Sequence, residues 1–170
     1  LRRALGLQTK QGVLLGFYPK QFKLFIYKLM TEKITIYQVL PRLYGNTTAN
    51  NIPGGDIHEN GCGKLGDFTP EVLKRIKDFG FTHIWYTGVL EHATQTDYTT
   101  YGIAKDHPAV VKGKAGSPYA IKDYYDICPD LASEPEKRMK EFEALVRRTH
   151  KAGLKMLIDF VPNHVARSYH

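Results

Sequence analysis

The segment Asp159-Phe160-Val161-Pro162-Asn163-His164 brings a carboxylate, an amide and an imidazole together within six positions. The carboxylate accepts hydrogen bonds, the amide both donates and accepts, and the imidazole does either according to its tautomer. Sugar hydroxyls need that mixture of donors and acceptors, and an amide oxygen can also ligate Ca²⁺. A strand-end aspartate followed by a Pro-Asn turn would show the same letters with no ligand at all. The chemistry therefore depends on what positions the hexapeptide.

Immediately upstream, Leu154, Met156, Leu157 and Ile158 form a short apolar run, which predicts a buried strand ended by Asp159. Ser133 and Glu136 have capping-box spacing and predict a helix with Met139, Phe142, Leu145 and Val146 inward, stopped at Gly153. Further back, His83 to Thr87 read as a short strand, and Thr69 caps a helix that admits Pro70 and Glu71 in its first turn. Val72, Leu73, Ile76 and Phe79 supply that helix's apolar face, and Gly80 ends it. Ile34 to Leu40 is rich in β-branched and aromatic residues and predicts the first strand, closed by Pro41. A polar, glycine-rich loop follows it. The stretch from Gly88 to Leu131 shows no helical period and reads as one long loop, well beyond the usual ~4–6 residues.

Strands alternating with helices imply parallel pairing, because a strand returns in the same direction only through a crossover. The class is α/β. No G-x-G-x-x-G segment is present, so a dinucleotide fold is disfavoured. With 42% hydrophobic residues in 170, the chain can bury a core.

The formal charge of +7 suggests nucleic acid as a partner until its location is read. Residues 1–29 hold six Lys and Arg and no acid, leaving 18 basic against 17 acidic residues in the remainder. The rest is nearly neutral. We expect residues 1–29 to be a basic extension outside the fold, with a basic surface-binding arm as the alternative. Lys20, Lys23 and Lys28 break every apolar run there, which argues against a signal peptide or a membrane span and favours the cytoplasm. Cys62 and Cys128 could form one disulfide, but two unpaired thiols are the simpler expectation. His58 and Cys62 lack the further ligands a zinc site needs.

The hexapeptide from Asp159 to His164 resembles the first signature region of the α-amylase family of glycoside hydrolases, a D-x-x-x-N-H pattern at the end of the third barrel strand. Ser117 to Tyr124 resembles that family's Tyr-containing segment, and His150 to Lys155 its passage from helix to strand. The match runs in order from about Ile34 to Arg167. It implies a partial (β/α)8 TIM barrel over residues 30–170, comprising the first three strands and two helices, with a long loop after the second strand. It also implies roles. Tyr119 would stack on the glucose beside the scissile bond, and His164 would hydrogen-bond the same sugar. Asp159 would brace the site, and Asn163 would hold the loop or a calcium ion.

By the same resemblance, the substrate would be an α-glucan or oligosaccharide, cleaved or transferred with retention. Neither a nucleic-acid partner nor a membrane span is implied. The Asp nucleophile and Glu acid/base that retention requires come from later strands in the family, so we expect them after residue 170 and expect these residues alone to be a catalytically inert fragment. Two positions depart from the pattern. Gly116 stands where exo-acting members commonly carry Asp, and Cys128 where relatives often have Asp. A non-catalytic barrel serving as a scaffold or transporter-associated subunit is the competing reading.

Overall fold

A computed structural model describes residues 33–170; the extension expected at residues 1–29 lies outside the described residues. Strand β1 (Ile36–Val39) starts two residues later than the apolar run suggests and ends as expected before Pro41. Pro41 opens a short helix, α1 (Pro41–Tyr44), where its missing N–H costs nothing. The polar stretch that follows is more ordered than its glycines suggest. It holds α2 (Ile57–Asn60), whose cap is reciprocal: Asp56 accepts the amides of His58 and Glu59, and the Glu59 carboxylate accepts that of Asp56.

Helix α3 (Pro70–Asp78) follows its sequence closely. The Thr69 hydroxyl accepts the Val72 amide at 3.3 Å, Leu73 and Ile76 are buried, and Gly80 turns the chain at φ +102°. Strand β2 (His83–Tyr86) comes next, and after a long excursion helix α4 (Arg138–Lys151) leads to β5 (Lys155–Ile158). Strands β1, β2 and β5 form a three-stranded parallel sheet with β2 in the centre. Gln38, Trp85 and Leu157 lie in one row across it.

Alternation then sorts the side chains. Tyr37, Val39, Ile84, Tyr86 and Met156 face the helices and join a core with Leu65, Phe68, Leu73, Ile76, Leu145 and Leu154. Phe68 meets Tyr86 edge-on at 4.9 Å, and the Tyr86 hydroxyl pairs with Thr149 at 2.8 Å, so a polar atom enters the core with its partner. Arg148 closes the layer by donating to the carbonyls of Leu65 and Phe68. Gln38, Trp85 and Leu157 point the other way.

Two expectations need correcting. The stretch from Gly88 to Leu131 is not a plain loop, because β3 (Leu90–His92) and β4 (Ile121–Ile127) pair antiparallel within it. Its Lys, Asp and Tyr residues conceal the strand: Ile121 and Ile127 are buried at its ends, while Tyr125 is exposed. Ser133 and Glu136 do not form a capping box either. Pro135 starts a 3₁₀ turn, α4 proper begins at Arg138, and the Glu141 carboxylate accepts the amides of Ser133 and Glu134. Among the described residues no helix is long and apolar enough to cross a membrane.

Candidate functional site

Lys155 and Leu157 alternate onto one face of β5, and Asp159 continues that parity one step past the strand. Its carboxylate therefore meets β2. Asp159 accepts the Trp85 indole N–H at 2.8 Å and the Gly88 amide at 2.5 Å, and is only 8% exposed. Both oxygens are engaged, which makes the residue a brace between the ends of two parallel strands. Beside it, Gln38 donates to the Thr87 hydroxyl at 3.1 Å, linking β1 to the same rim.

Gly88 carries the connection further. Its φ is +70°, and a Cβ there would stand 2.6 Å from Cβ of Pro118. The Ser117–Ala120 turn thus sits directly on the backbone that Asp159 holds, and the Ala120 amide closes it onto the Ser117 carbonyl at 3.0 Å. Tyr119 lies on this turn with 43% of its surface exposed.

Asn163 and His164 are exposed on the loop after Asp159, and among the described residues neither side chain makes a hydrogen bond. The loop itself is pinned on both sides. The Tyr124 hydroxyl donates to the Val161 carbonyl, and the Ala166 amide to Ile121 at 2.8 Å. Ser168 then donates to Asp106 at 2.5 Å. Asp159 and the Tyr119 turn are therefore brought together through Gly88, whereas no hydrogen bond joins Tyr119 to His164 among the described residues.

A cavity of about 380 Å³ opens next to Asp159, lined also by Leu90, Tyr124, Tyr125, Phe160 and Tyr169; neither Tyr119 nor His164 lines it. A second, of about 200 Å³, lies in the region after β1 and is walled by polar groups including Arg42, Asn46, Asp56, Lys114 and Asp130. Asp130 organises that side. It pairs with Arg42, accepts the Tyr98 hydroxyl at 2.5 Å, and its carbonyl takes the Lys64 ammonium at 2.6 Å. Burial works against the Arg42 charge, but the hydrogen-bonded Asp130 carboxylate more than offsets it and raises its pKa. Burial and then Asp130 push the Tyr98 hydroxyl upward.

Cys62 and Cys128 are free thiols. Burial, the largest cause in each case, moves Cys62 up to about 11 and Cys128 to about 12. Cys128 is fully buried, with its sulfur 4.0 Å from Nε2 of His92. The position where relatives often have Asp is thus a core position here. Gly116 is equally constrained: at φ +75° its Cβ would fall 1.8 Å from the Ala93 carbonyl oxygen, so no side chain fits on this backbone. Calcium at Asn163 does not fit the described residues by themselves. The exposed amide offers one oxygen, no set of three His, Cys, Asp or Glu side chains converges on it among the described residues, and Ca²⁺ takes six to eight oxygen ligands.

Sequence reasoning missed Trp85 as the partner of Asp159, although strand parity places both on one face. It also missed Asp106, which accepts from Thr94, Lys122 and Ser168. No local pattern marks Asp106, because all three donors are remote in sequence.

The sequence profile of the family described as "Alpha amylase, catalytic domain" matches residues 38–170. Maltase A1 of Drosophila melanogaster is 29% identical over 133 residues, covering 78% of this chain and 17% of that protein. Trehalose-6-phosphate hydrolase of Bacillus subtilis (strain 168) is 28% identical over 138 residues, covering 81% of this chain and 18% of that protein. The crystal structure of Bacillus licheniformis trehalose-6-phosphate hydrolase superposes with a TM-score of 0.52 at 26% identity, over 80% of this chain and 18% of that one. The chain thus spans 17–18% of the length of these relatives. Its β1, β2 and β5 correspond to strands of a (β/α)8 barrel.

Proposed function

This chain belongs to the alpha-amylase catalytic-domain family, and on that premise we propose that the whole protein hydrolyses or transfers α-glucosidic bonds of starch-like glucans or oligosaccharides with retention. The observation that carries the proposal is the placement of Asp159. It closes a parallel strand at the carboxyl end, where barrel enzymes build their sites, and the exposed Asn163 and His164 follow directly.

In this reading Tyr119 covers the apolar C–H face of a pyranose, and His164 supplies a hydrogen bond to a hydroxyl of the same sugar. Both residues are exposed, and among the described residues neither side chain makes a hydrogen bond, as such roles require. Asp159 acts differently. With both oxygens occupied and little surface, it supports the rim rather than attacking substrate. Retaining chemistry needs two carboxyl groups about 5–5.5 Å apart, one as nucleophile and one as acid/base, and Asp159 is neither.

The test is turnover of starch, maltooligosaccharides and isomaltose by the full-length gene product. Activity is expected on at least one, with kcat/KM lowered about tenfold or more by Tyr119→Ala or His164→Ala. Failure on every α-glucoside would overturn the reading.

A further inference from the structure

Glu91 on β3 and Asp123 on β4 face each other in the antiparallel ladder, at a point where the register shifts on both sides of Glu91. Like charges directly opposite across strands are destabilising unless something neutralises them. Glu91 is 2% exposed, and its Oε1 has no hydrogen-bond partner among the described residues. The nearest cation, Lys122 Nζ, stands 3.7 Å away, beyond hydrogen-bond reach. That ammonium is committed elsewhere, donating to the Ala104 carbonyl at 2.6 Å and to Asp106 at 3.1 Å. Lys122 is thus shared between Asp106 at 3.1 Å and Glu91 at 3.7 Å.

The third group is brought in by backbone. The His170 amide donates to the Lys122 carbonyl at 3.2 Å, next to Asp123 in sequence, and its Nδ1 lies 3.3 Å from the Ser168 carbonyl. A proton on Nδ1, shared with that carbonyl, leaves the Nε2 lone pair free, the arrangement that orients metal-binding imidazoles. One ligand atom from each of Glu91, Asp123 and His170 lies within 4.8 Å of the others. Ligand atoms held tetrahedrally at zinc bond lengths of about 2.0–2.2 Å stand roughly 3.3–3.6 Å apart, a separation that falls inside that span.

We propose that Glu91, Asp123 and His170 form a divalent-cation site that takes Zn²⁺, with water completing the coordination. Two carboxylates and an imidazole are a borderline donor set suited to zinc, and the buried orphan oxygen of Glu91 gains the partner it lacks. The site is structural. It would tie the segment after His164 to the β3–β4 pair, and it stands on residues that the glycosidic proposal does not use.

The experiment is titration of the full chain with ZnCl₂ by calorimetry, and with CoCl₂ followed by visible absorption. One ion per chain is expected, with a cobalt spectrum of low coordination number and a Zn²⁺-dependent rise in melting temperature. His170→Ala changes an exposed residue and Asp123→Asn a half-buried one, and each should weaken binding at least about tenfold and abolish the cobalt spectrum. Absence of binding, or binding equally tight in both variants, would overturn the proposal. Neither outcome depends on glycosidase activity.

Discussion

Asp159 holds the indole of Trp85 at 2.8 Å while its other oxygen holds the Gly88 amide, so a single carboxylate fixes the ends of two parallel strands. Removing it would orphan a buried backbone donor as well as an indole. Asp159→Ala is expected to cost about 3 kcal/mol in urea unfolding, from unpaired donors at roughly 1–3 kcal/mol each. Asp159→Asn, which must turn its NH₂ toward one donor, should lose a large part of that. Unchanged stability in both variants would remove the brace from the account of the site.

Gly116 offers a sharper test, because two independent constraints meet there. Its positive φ disfavours any side chain, and the Ala93 carbonyl occupies the space a Cβ would need. Gly116→Ala and Gly116→Asp should both destabilise by more than about 2 kcal/mol, readable as a lower melting temperature. A stable Gly116→Asp protein would show that this turn can adopt another path.

The thiols should be sluggish. With Cys62 at about 11 and Cys128 at about 12, both remain protonated at pH 8, and native protein should react with iodoacetamide far more slowly than denatured protein. The same shifts predict a pH dependence. Each thiol is raised above its ordinary value of 9.0, so this contribution to stability is intact below pH 9 and declines as pH rises toward 11 and 12. Fast labelling of Cys128 at pH 8 in folded protein would contradict its burial.

Asp106 collects the Thr94 amide, the Lys122 ammonium and the Ser168 hydroxyl while only 4% exposed. Asp106→Asn is expected to raise amide exchange along residues 163–170 more than within α3. Uniform exchange change, or none, would mean that the segment is held by its backbone bonds alone.

The parallel sheet was legible because its signals are local. Thr69, Pro70 and the apolar face of α3 specify that helix without help from elsewhere, and the runs at His83 and Leu154 are short, apolar and bounded. Strand β4 was not legible, since Lys122, Asp123 and Asp126 are poor strand residues whose partners, Glu91, Asp106 and Arg138, lie 12 or more positions away. The start of α4 was misread for a related reason. Ser133 and Glu136 have the spacing of a cap, but Pro135 fixes a tighter turn between them, and Glu141 from within the helix takes the free amides. At the rim, the apolar run from Leu154 set Asp159 one step past the strand, yet only strand pairing could reveal which indole it would meet.

The threefold grip of Asp106 has a mechanical result. The stretch bearing His164 and the arm built from β3 and β4 share an anchor, so neither can swing without dragging its neighbour. Any widening of the groove beside Asp159 would lift both walls as one piece, and a tug at either end would be felt at the other.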